Sequence, residues 1–388
     1  MKSGHPHEHL RHNFWMHCLE GGFYMAGLAF ISPETVLPSF VNSLGGSENL
    51  IALMPVLLPA SFSVLGLFVA PLVERLHRLK PFVVFFGALQ RLPYLIAALL
   101  MFWLPPSSEA LLPIVVLTPV VSGLIGGVGV NAWMEMVTRM IPENLRASGW
   151  AIRYVIQGVI GLAAGPVIHW VLSSQNGAPG YAWLHLICFT FLAASFTSQI
   201  FMREGSYARA TRPERPAYRI YLGELPRMLA AQPRLVRLIF ARFTGLGWLM
   251  LVSFLSIHAI KTTGRSPADV GHLVFASMLG SLVGNGFAGW FGNRHGGRIL
   301  MLFSRCLCLL LCAALPFLHS FGSFLASLFV LGFGLFVDRV GDLTFSAELC
   351  PHQRRPTYQA ILSFCHSIAL LMAATLGGLA FVMTGSFL

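Results

Sequence analysis

The chain has 388 residues, of which 55% are hydrophobic and only 11% are charged, and its mean hydropathy is +0.70. Soluble domains carry about a quarter charged residues, so this composition excludes an ordinary soluble domain and indicates a membrane protein. The net charge of +11 does not indicate nucleic-acid binding, because the basic residues collect in the turns between apolar segments, where they set the orientation of a membrane protein.

Long apolar stretches divide the chain into helices that can cross a bilayer. Such a helix needs about 20 mostly apolar residues, and this criterion predicts six spans followed by five. The sequence therefore predicts an all-α polytopic membrane protein made of two helical bundles. The predicted spans cover residues 14–42, 50–73, 81–104, 110–137, 147–173 and 181–202, and then 234–260, 268–291, 298–319, 321–348 and 356–385.

Polar segments separate the two bundles and define the remaining parts of the chain. We expect a tail at residues 1–13, an N-terminal six-helix bundle at 14–202, a basic linker at 203–233 and a C-terminal five-helix bundle at 234–388. Within the linker, the pattern of Tyr218–Ala231 predicts a short amphipathic helix on the membrane surface.

The basic residues are distributed unequally between the two sides of the predicted bundle. Most of the 26 Lys and Arg residues lie in the tail, in the linker and in the turns on the same side. The opposite loops carry only Lys261 and Arg265. The positive-inside rule then predicts a cytoplasmic N-terminus and linker, in the inner or plasma membrane of a cell.

A unit made of an apolar run, a basic turn and a second apolar run occurs once in each half. Gly289–Arg298 lies between the second and third spans of the C-terminal half, and Ala70–Lys80 lies between the same spans of the N-terminal half. The turns at 141–146 and 350–355 form a second pair, each with a proline followed by basic residues. Repeats at half the chain length indicate a duplicated membrane bundle.

The later turn resembles the loop between the second and third helices of the major facilitator superfamily of transporters. That loop reads roughly Gly-x-x-x-Asp-Arg-x-Gly-Arg-Arg. The turn in this chain matches it at Gly289, Arg294, Gly296 and Arg298, with Asn293 at the acidic position.

The earlier turn is a degenerate copy of the same motif. Arg75 and Arg78 are kept and Glu74 takes the acidic position, while Ala70 and His77 replace the two glycines. The resemblance implies that both turns act as a cytoplasmic gate, in which ion pairs at the helix ends bias the inward-closed state against the inward-open state. Anchoring of helix ends by positive charge is the alternative role.

The resemblance implies the two-bundle fold of the superfamily and transport by alternating access to a central cavity. The first, fourth, seventh and tenth helices line that cavity in the family. Members normally have twelve helices, so the eleven predicted spans indicate either a truncated chain or an eleven-helix variant.

Charged side chains within a bilayer are costly and indicate function by default. We assign five acids and five bases to the interior of the transmembrane helices, and this balance predicts that they pair. They are Glu20, Glu34, Arg91, Glu135, Arg153, Arg242, Arg305, Asp338, Arg339 and Asp342.

The family plan makes some of these residues candidates for the cavity and for coupling to an ion. Asp338 and Asp342 are four residues apart and share a helix face, and one of them is a candidate to bind a coupling proton, because a low dielectric disfavours a charged carboxylate. A structural role, with both acids held by Arg242 or another arginine, is the alternative. We assign Arg91 and Arg305 to structural pairs. The candidates for the cavity and for coupling are Glu20, Asn131, Glu135, Gln157, Arg242, Asp338, Arg339 and Asp342.

The fifth predicted span contains Gly161 and Gly165, followed by Pro166. This spacing resembles part of a signature of proton-antiporting drug exporters in the superfamily, and it therefore favours export. Close packing of helices through small residues is the alternative explanation.

We predict a secondary transporter that exports a small organic solute in a proton-coupled exchange. Proton-coupled uptake of an organic anion or a peptide-like solute is one alternative, and a non-transporting membrane scaffold is another. The expected partners are a small-molecule substrate, a proton or other coupling ion and membrane lipid, without nucleic acid, and the protein is expected to be a monomer.

The sequence predicts neither an enzyme nor a cofactor. It contains no nucleotide-binding Gly-x-x-x-x-Gly-Lys-Ser/Thr motif and no motif for a catalytic nucleophile. The tail histidines and the cysteines at 306, 308 and 312 are read as a solvated tail and as apolar filling, so no metal site is predicted.

Overall fold

The computed structural model describes residues 9–73, 76, 78–175, 177–205, 218–245, 249–350 and 355–384. Within these ranges the chain folds into helices and contains no strand, so the all-α prediction is confirmed. The N-terminal half consists of α1 (Leu10–Ala29), α2 (Val36–Ser43), α3 (Glu48–Val73), α4 (Lys80–Trp103), α5 (Leu111–Met140), α6 (Glu143–Ser174) and α7 (Ala178–Phe201).

The second half follows a helix in the linker. That helix is α8 (Tyr218–Ala230), and it coincides with the predicted amphipathic segment. The C-terminal half consists of α9 (Pro233–Gly245), α10 (Leu249–Thr263), α11 (Val270–Ala314), α12 (Phe321–Leu349) and α13 (Arg355–Thr384).

The ends of several helices follow from local chemistry. Ser320 begins α12 with a capping box, in which its hydroxyl oxygen accepts the backbone N–H of Ser323 at 3.2 Å. At the start of α4 and α7 a proline occupies the first turn, where its missing N–H leaves no hydrogen bond unmade.

Two predicted spans are not continuous helices. The first, at 14–42, is wrong as a single helix, because the chain breaks between Ala29 and Val36 and continues as α2. The break contains Pro33, which lacks a backbone N–H for a continuous helix. The seventh, at 234–260, is divided into α9 and α10 on either side of residues outside the described part of the chain.

The turn at Gly289–Arg298 contains no separate loop between the two helical segments. Helical structure continues from Val270 to Ala314, with a single break at Gly296, where φ is 77° and ψ is 169°. A positive φ is accessible to glycine at little cost. One residue therefore reverses the chain between two predicted spans.

Most of the predicted spans are also apolar and long enough in the structure to cross a membrane. Nine helical segments of the described residues meet this criterion, and they correspond to the second to sixth and the eighth to eleventh predicted spans. The α1 helix carries Glu20 and other polar residues, and α9 and α10 are each shorter than a full span.

Successive long helices run antiparallel, so all loops collect at two ends of the bundle. We call the end at which α1 begins, α7 ends and α8 follows the linker end, and we call the other the distal end. A large apolar core lies at the distal end and joins both halves, since Phe40, Ile168 and Leu184 belong to the same cluster as Ile257 and Val274.

At the linker end the apolar residues are divided between the halves. One cluster there contains Val83, Met136 and Met202 of the N-terminal half, and another contains Leu238 and Tyr358 of the C-terminal half. Among the described residues, the two halves therefore share a core at the distal end but have separate cores at the linker end.

The halves approach each other closely where α6 lies along α11. A side chain added at Gly165 would collide with the backbone of Gly271, and one added at Gly161 would meet Met278. The packing role weighed for this glycine motif is thus visible in the contacts, and its partner is the other half of the molecule.

Gly296 gives a test of the reversal between the two parts of α11. Replacement of Gly296 by alanine should lower the free energy of unfolding by about 1 to 3 kcal/mol, because a non-glycine residue is strained at positive φ. Gly286→Ala is the control, since Gly286 is helical and has open space around its Cα, and alanine is preferred there by about 0.5–1 kcal/mol. Thermal unfolding of both variants in detergent measures the difference, and equal stabilities would contradict the assignment.

Candidate functional site

A buried carboxylate binds two arginines inside the N-terminal half. Glu20 of α1 is only 5% exposed. Its Oε1 lies 3.4 Å from Nη2 of Arg91 on α4, and its Oε2 lies 3.1 Å from Nη1 of Arg153 on α6. Two guanidinium groups share one carboxylate, so this cluster carries one excess positive charge.

The first of these arginines is held by several neutral acceptors as well. The guanidinium of Arg91 bonds to two backbone carbonyls, at 3.0 and 2.7 Å, and to two side-chain oxygens, at 2.9 and 3.2 Å. A buried charge with this many hydrogen bonds is fixed in place. The acceptors are Leu192 O, Gly87 O, Ser195 Oγ and Gln199 Oε1.

The second arginine lies among aromatic rings. The guanidinium carbon of Arg153 is 5.0 Å from the ring centre of Trp133 and 4.7 Å from that of Trp150. Its Nη1 also lies 3.0 Å from Nδ1 of His17. Cation–π contacts stabilise a desolvated cation. The residues of the whole cluster lie on α1, α4, α5, α6 and α7, and their contacts hold these five helices together.

The C-terminal half contains a two-point ion pair. Arg242 of α9 donates to both oxygens of Asp342 on α12, at 2.8 and 2.6 Å. It also donates to Ser346 Oγ at 2.7 Å and to the carbonyl of Leu362 on α13 at 2.8 Å. This geometry is the strong, orienting form of an arginine–carboxylate pair.

A second, looser pair lies one helical turn away. Nε of Arg305 on α11 is 3.3 Å from Oδ1 of Asp338, and its Nη1 donates to the carbonyl of Ala241 at 3.1 Å. Asp338 is buried, whereas its neighbour Arg339 is exposed. The structure thus gives Arg91 and Arg305 the ion-pair contacts assigned to them, and it also places Asp338 and Asp342 in pairs, as the structural alternative requires.

Two other candidates lie apart from these clusters. Glu135 is about half exposed and pairs at 2.9 Å with Arg139, four residues along the same helix. The amide of Asn131 donates to the carbonyl of Gly66 at 2.5 Å and so joins α5 to α3. Neither residue touches the Glu20 cluster through these contacts, and their role in a cavity stays a prediction.

A small cavity, lined mostly by apolar surface, lies between the halves. Its volume is about 10 Å³, room for about one water molecule. Tyr154 and Gln157 of α6 line it from one half, and Asn285 of α11 and Phe336 of α12 line it from the other. The Gln157 Oε1 atom is buried and has no hydrogen-bond partner within the described part of the chain. A buried, unpaired amide oxygen costs about 1–3 kcal/mol, so this position favours the arrival of a donor.

The predicted gate residues are only partly described. Glu74 and Arg75 lie outside the described residues, as does the side chain of Asn293. The charged members that are described, Arg78, Arg294 and Arg298, are all exposed.

The later turn does have two contacts of its own. Arg294 stacks on Trp290 at 4.7 Å. Gly289 lies within the helix before the turn, and the backbone N–H of Gly297, which follows Gly296, donates to Glu348 of α12 at 3.4 Å. Whether these contacts gate anything stays a prediction.

Some partners were missed by sequence reasoning. Ser195 and Gln199 are polar residues four apart on an apolar helix, a signal that could have shown a face turned towards a buried charge. Glu204 was hidden in the polar linker, yet its carboxylate accepts the backbone N–H groups of Leu79 and Lys80 at 3.0 and 2.9 Å. It thereby caps α4, the third span of the N-terminal half.

Residues 237–387 match the family model described as Major Facilitator Superfamily. Solved structures resemble the chain over nearly its whole length. A structure of a mutant of the nucleoside transporter NupG covers 96% of this chain and 92% of its own, with a TM-score of 0.67 and 11% identity. A bacterial homologue of the human lysosomal transporter Spinster, inward-facing and unoccupied, covers 97% and 82%, with a TM-score of 0.64 and 15% identity.

A curated relative matches a shorter stretch. The niacin transporter NiaP of Acinetobacter baylyi (strain ATCC 33305 / BD413 / ADP1) is 25% identical over 136 residues, which are 34% of this chain. The match spans 31% of the length of that relative. Residues 237–387 thus match the major facilitator superfamily, which the sequence motifs predicted, and the helical fold is shared with solved transporter structures over nearly the whole chain.

Proposed function

We propose that this protein is a secondary transporter that moves a small organic solute between its two bundles by alternating access. The observation that carries the proposal is the buried oxygen of Gln157, a residue that lines the cavity between the halves, which has no partner among the residues that the structure describes. Each half holds its buried charges in ion pairs and hydrogen bonds of its own, whereas the Gln157 oxygen lacks a hydrogen bond to any described residue. A solute that donates a hydrogen bond to this oxygen would provide the missing partner.

The packing of the two ends supports a specific state of such a cycle. The halves share an apolar core at the distal end, whereas the cores at the linker end are separate. This asymmetry fits a transporter that is closed at the distal end and ready to open at the linker end. With the linker in the cytoplasm, as its basic residues favour, the state is inward-facing and the membrane is the inner or plasma membrane of the cell.

Coupling to protons is proposed through Asp338. Asp342 accepts two bonds of 2.8 and 2.6 Å from Arg242, while Asp338 contacts Arg305 at 3.3 Å. The looser contact makes Asp338 the carboxylate that is more easily released from its partner. Protonation of a released carboxylate in a low dielectric avoids the cost of a buried charge.

The direction of transport separates two forms of the proposal. Proton-coupled export is favoured by the glycine motif of α6. Proton-coupled uptake of an organic anion is favoured by the excess positive charge where Arg91 and Arg153 share Glu20. The name of the niacin transporter that matches part of the chain supports a small organic solute in either case.

A solute screen tests both the function and the Gln157 position. We expect at least one compound among niacin, nucleosides and short peptides to raise the unfolding temperature of the purified protein at about pH 5.5 or about pH 7.5, because a ligand that binds the folded state stabilises it. Gln157→Leu should abolish that shift, while Val159→Leu, two residues away and 61% exposed, should keep it. If no compound shifts the protein and proteoliposomes carry no flux, the scaffold alternative replaces transport.

The proton-coupling role is tested with Asp338→Asn. This variant should lose transport driven by a pH gradient but keep counterflow of labelled solute, because the asparagine can still contact Arg305 without taking up a proton. The unfolding temperature should fall less than in Glu20→Gln, because the side chain of Arg305 is 17% exposed and keeps its bond to Ala241. Retained dependence on the pH gradient in proteoliposomes would remove Asp338 from the coupling step.

The Glu20 cluster is expected to be structural. Replacement by glutamine leaves Arg91 and Arg153 buried without a countercharge, and loss of one member of a buried pair costs about 3–5 kcal/mol. Glu20→Gln should therefore lower the unfolding temperature strongly, while Glu135→Gln, which removes a half-exposed pair, should change it little. A stable Glu20→Gln protein with lost transport would instead place Glu20 in the mechanism.

A further inference from the structure

Three potential metal ligands meet at the distal end of the molecule. Asp269 Oδ1 lies 3.2 Å from Nδ1 of His272 and 3.8 Å from Nδ1 of His169. One ligand atom from each of the three residues lies within 4.8 Å of the other two. The two imidazole rings are 4.5 Å apart between their centres. The set is assembled by the fold rather than by local sequence, because His169 is 100 residues from Asp269 in the chain.

The ligands come from both halves of the protein. His169 lies near the end of α6 in the N-terminal half, and Asp269 and His272 lie at the start of α11 in the C-terminal half. The backbones approach closely at this point, since a side chain added at Gly271 would collide with Gly165 and His169. The set is therefore complete only while the distal end is closed.

We propose that His169, Asp269 and His272 form a binding site for a divalent transition-metal ion of the zinc class, which fastens the two halves together at the distal end. Two imidazole nitrogens and one carboxylate oxygen are a donor set that suits Zn²⁺, with water in the fourth position. Mg²⁺ and Ca²⁺ prefer sites built from oxygen ligands, so they fit this set poorly.

The surroundings fit an accessible but oriented site. The side chain of Asp269 is 11% exposed, while those of His169 and His272 are 39% and 51% exposed, so an ion can enter from the aqueous phase. The Nδ1 atom of His169 is 3.1 Å from the carbonyl oxygen of Ala268. In metal-binding histidines a bond of this kind is made by the ring nitrogen that does not bind the ion, and it orients the ring. The Nε2 atom of His169 is therefore the nitrogen that would bind the ion.

A bound ion acts on the conformational equilibrium. A ligand shifts an equilibrium towards the state that it binds better, and here that state has the distal end closed. The ion should therefore slow any cycle in which this end opens. The binding site itself does not depend on the proposed function, but the slowing of transport rests on it.

Zinc titration of the full-length protein tests the site. The protein is purified without a histidine tag, and Zn²⁺ or Mg²⁺ is added while heat and unfolding temperature are measured. We expect one Zn²⁺ to bind in a way that His169→Ala and His272→Ala each weaken by at least about tenfold, as removal of a ligand costs no less than removal of an outer partner. Zn²⁺ should raise the unfolding temperature of the unchanged protein, and Mg²⁺ should not.

A matched control separates this site from other histidines. His319 is exposed in the loop before α12 at the same end, and His319→Ala should bind Zn²⁺ like the unchanged protein. The histidines of the N-terminal tail are present in every variant and cancel in the comparison. Equal Zn²⁺ affinity of His169→Ala, His272→Ala and the unchanged protein, or an equal response to Mg²⁺, would overturn the proposal and leave the three residues as ordinary polar contacts.

Transport assays then test the consequence separately. In proteoliposomes, Zn²⁺ should reduce counterflow of a solute found by the screen in the unchanged protein and in His319→Ala, but not in His169→Ala. Zinc binding without an effect on flux would retain the site and reject the fastening of the halves. A protein without any flux would reject the transport function and leave the calorimetric result as the test of the site.

Discussion

The fold depends on the pairing of buried charges within each half. Glu20 neutralises part of the charge of Arg91 and Arg153 in one half, and Asp342 binds Arg242 through two bonds in the other. An unpaired charge in a low dielectric would be far more costly than any single packing contact. Because these pairs close inside the halves, each half can move as a body without breaking them.

The contact between the halves has a different character. It includes apolar packing at the distal end and between α3 and α13, a close approach of Gly165 to Gly271, and a small cavity lined by Gln157. Contacts of this kind can be lost and remade without leaving a buried charge unpaired. A ligand can shift the equilibrium between two such states when their free energies differ by a few kcal/mol. A mechanism in which the two halves rock against each other requires both features: ion pairs that stay intact within each half, and contacts between the halves that can break.

Sequence patterns predicted the helices well because hydrophobic length is a local property. They also gave the linker helix α8, and the balance of five acids and five bases indicated pairing. The partners could not be assigned, because helical spacing fixes a residue's face but not the rotation of one helix against another. Glu20 could have met any arginine at its depth, and Arg242 finds Asp342 100 residues away. The break before α2 was missed although Pro33 marks it, because apolar length outweighed one proline.

The α6 helix takes part both in the charge pairs within its half and in the contacts between the halves. Arg153 faces its own half and bonds to Glu20, and Gln157, one turn later, faces the cavity between the halves. Gly165 packs against the other half, and His169 lies close to Asp269 of that half. Since Arg153 fixes the helix to its bundle, any tilt of that bundle moves Gln157 and His169 together. A solute at one and an ion at the other would therefore act on the same motion, and their effects would be coupled even though the two residues are about three turns apart.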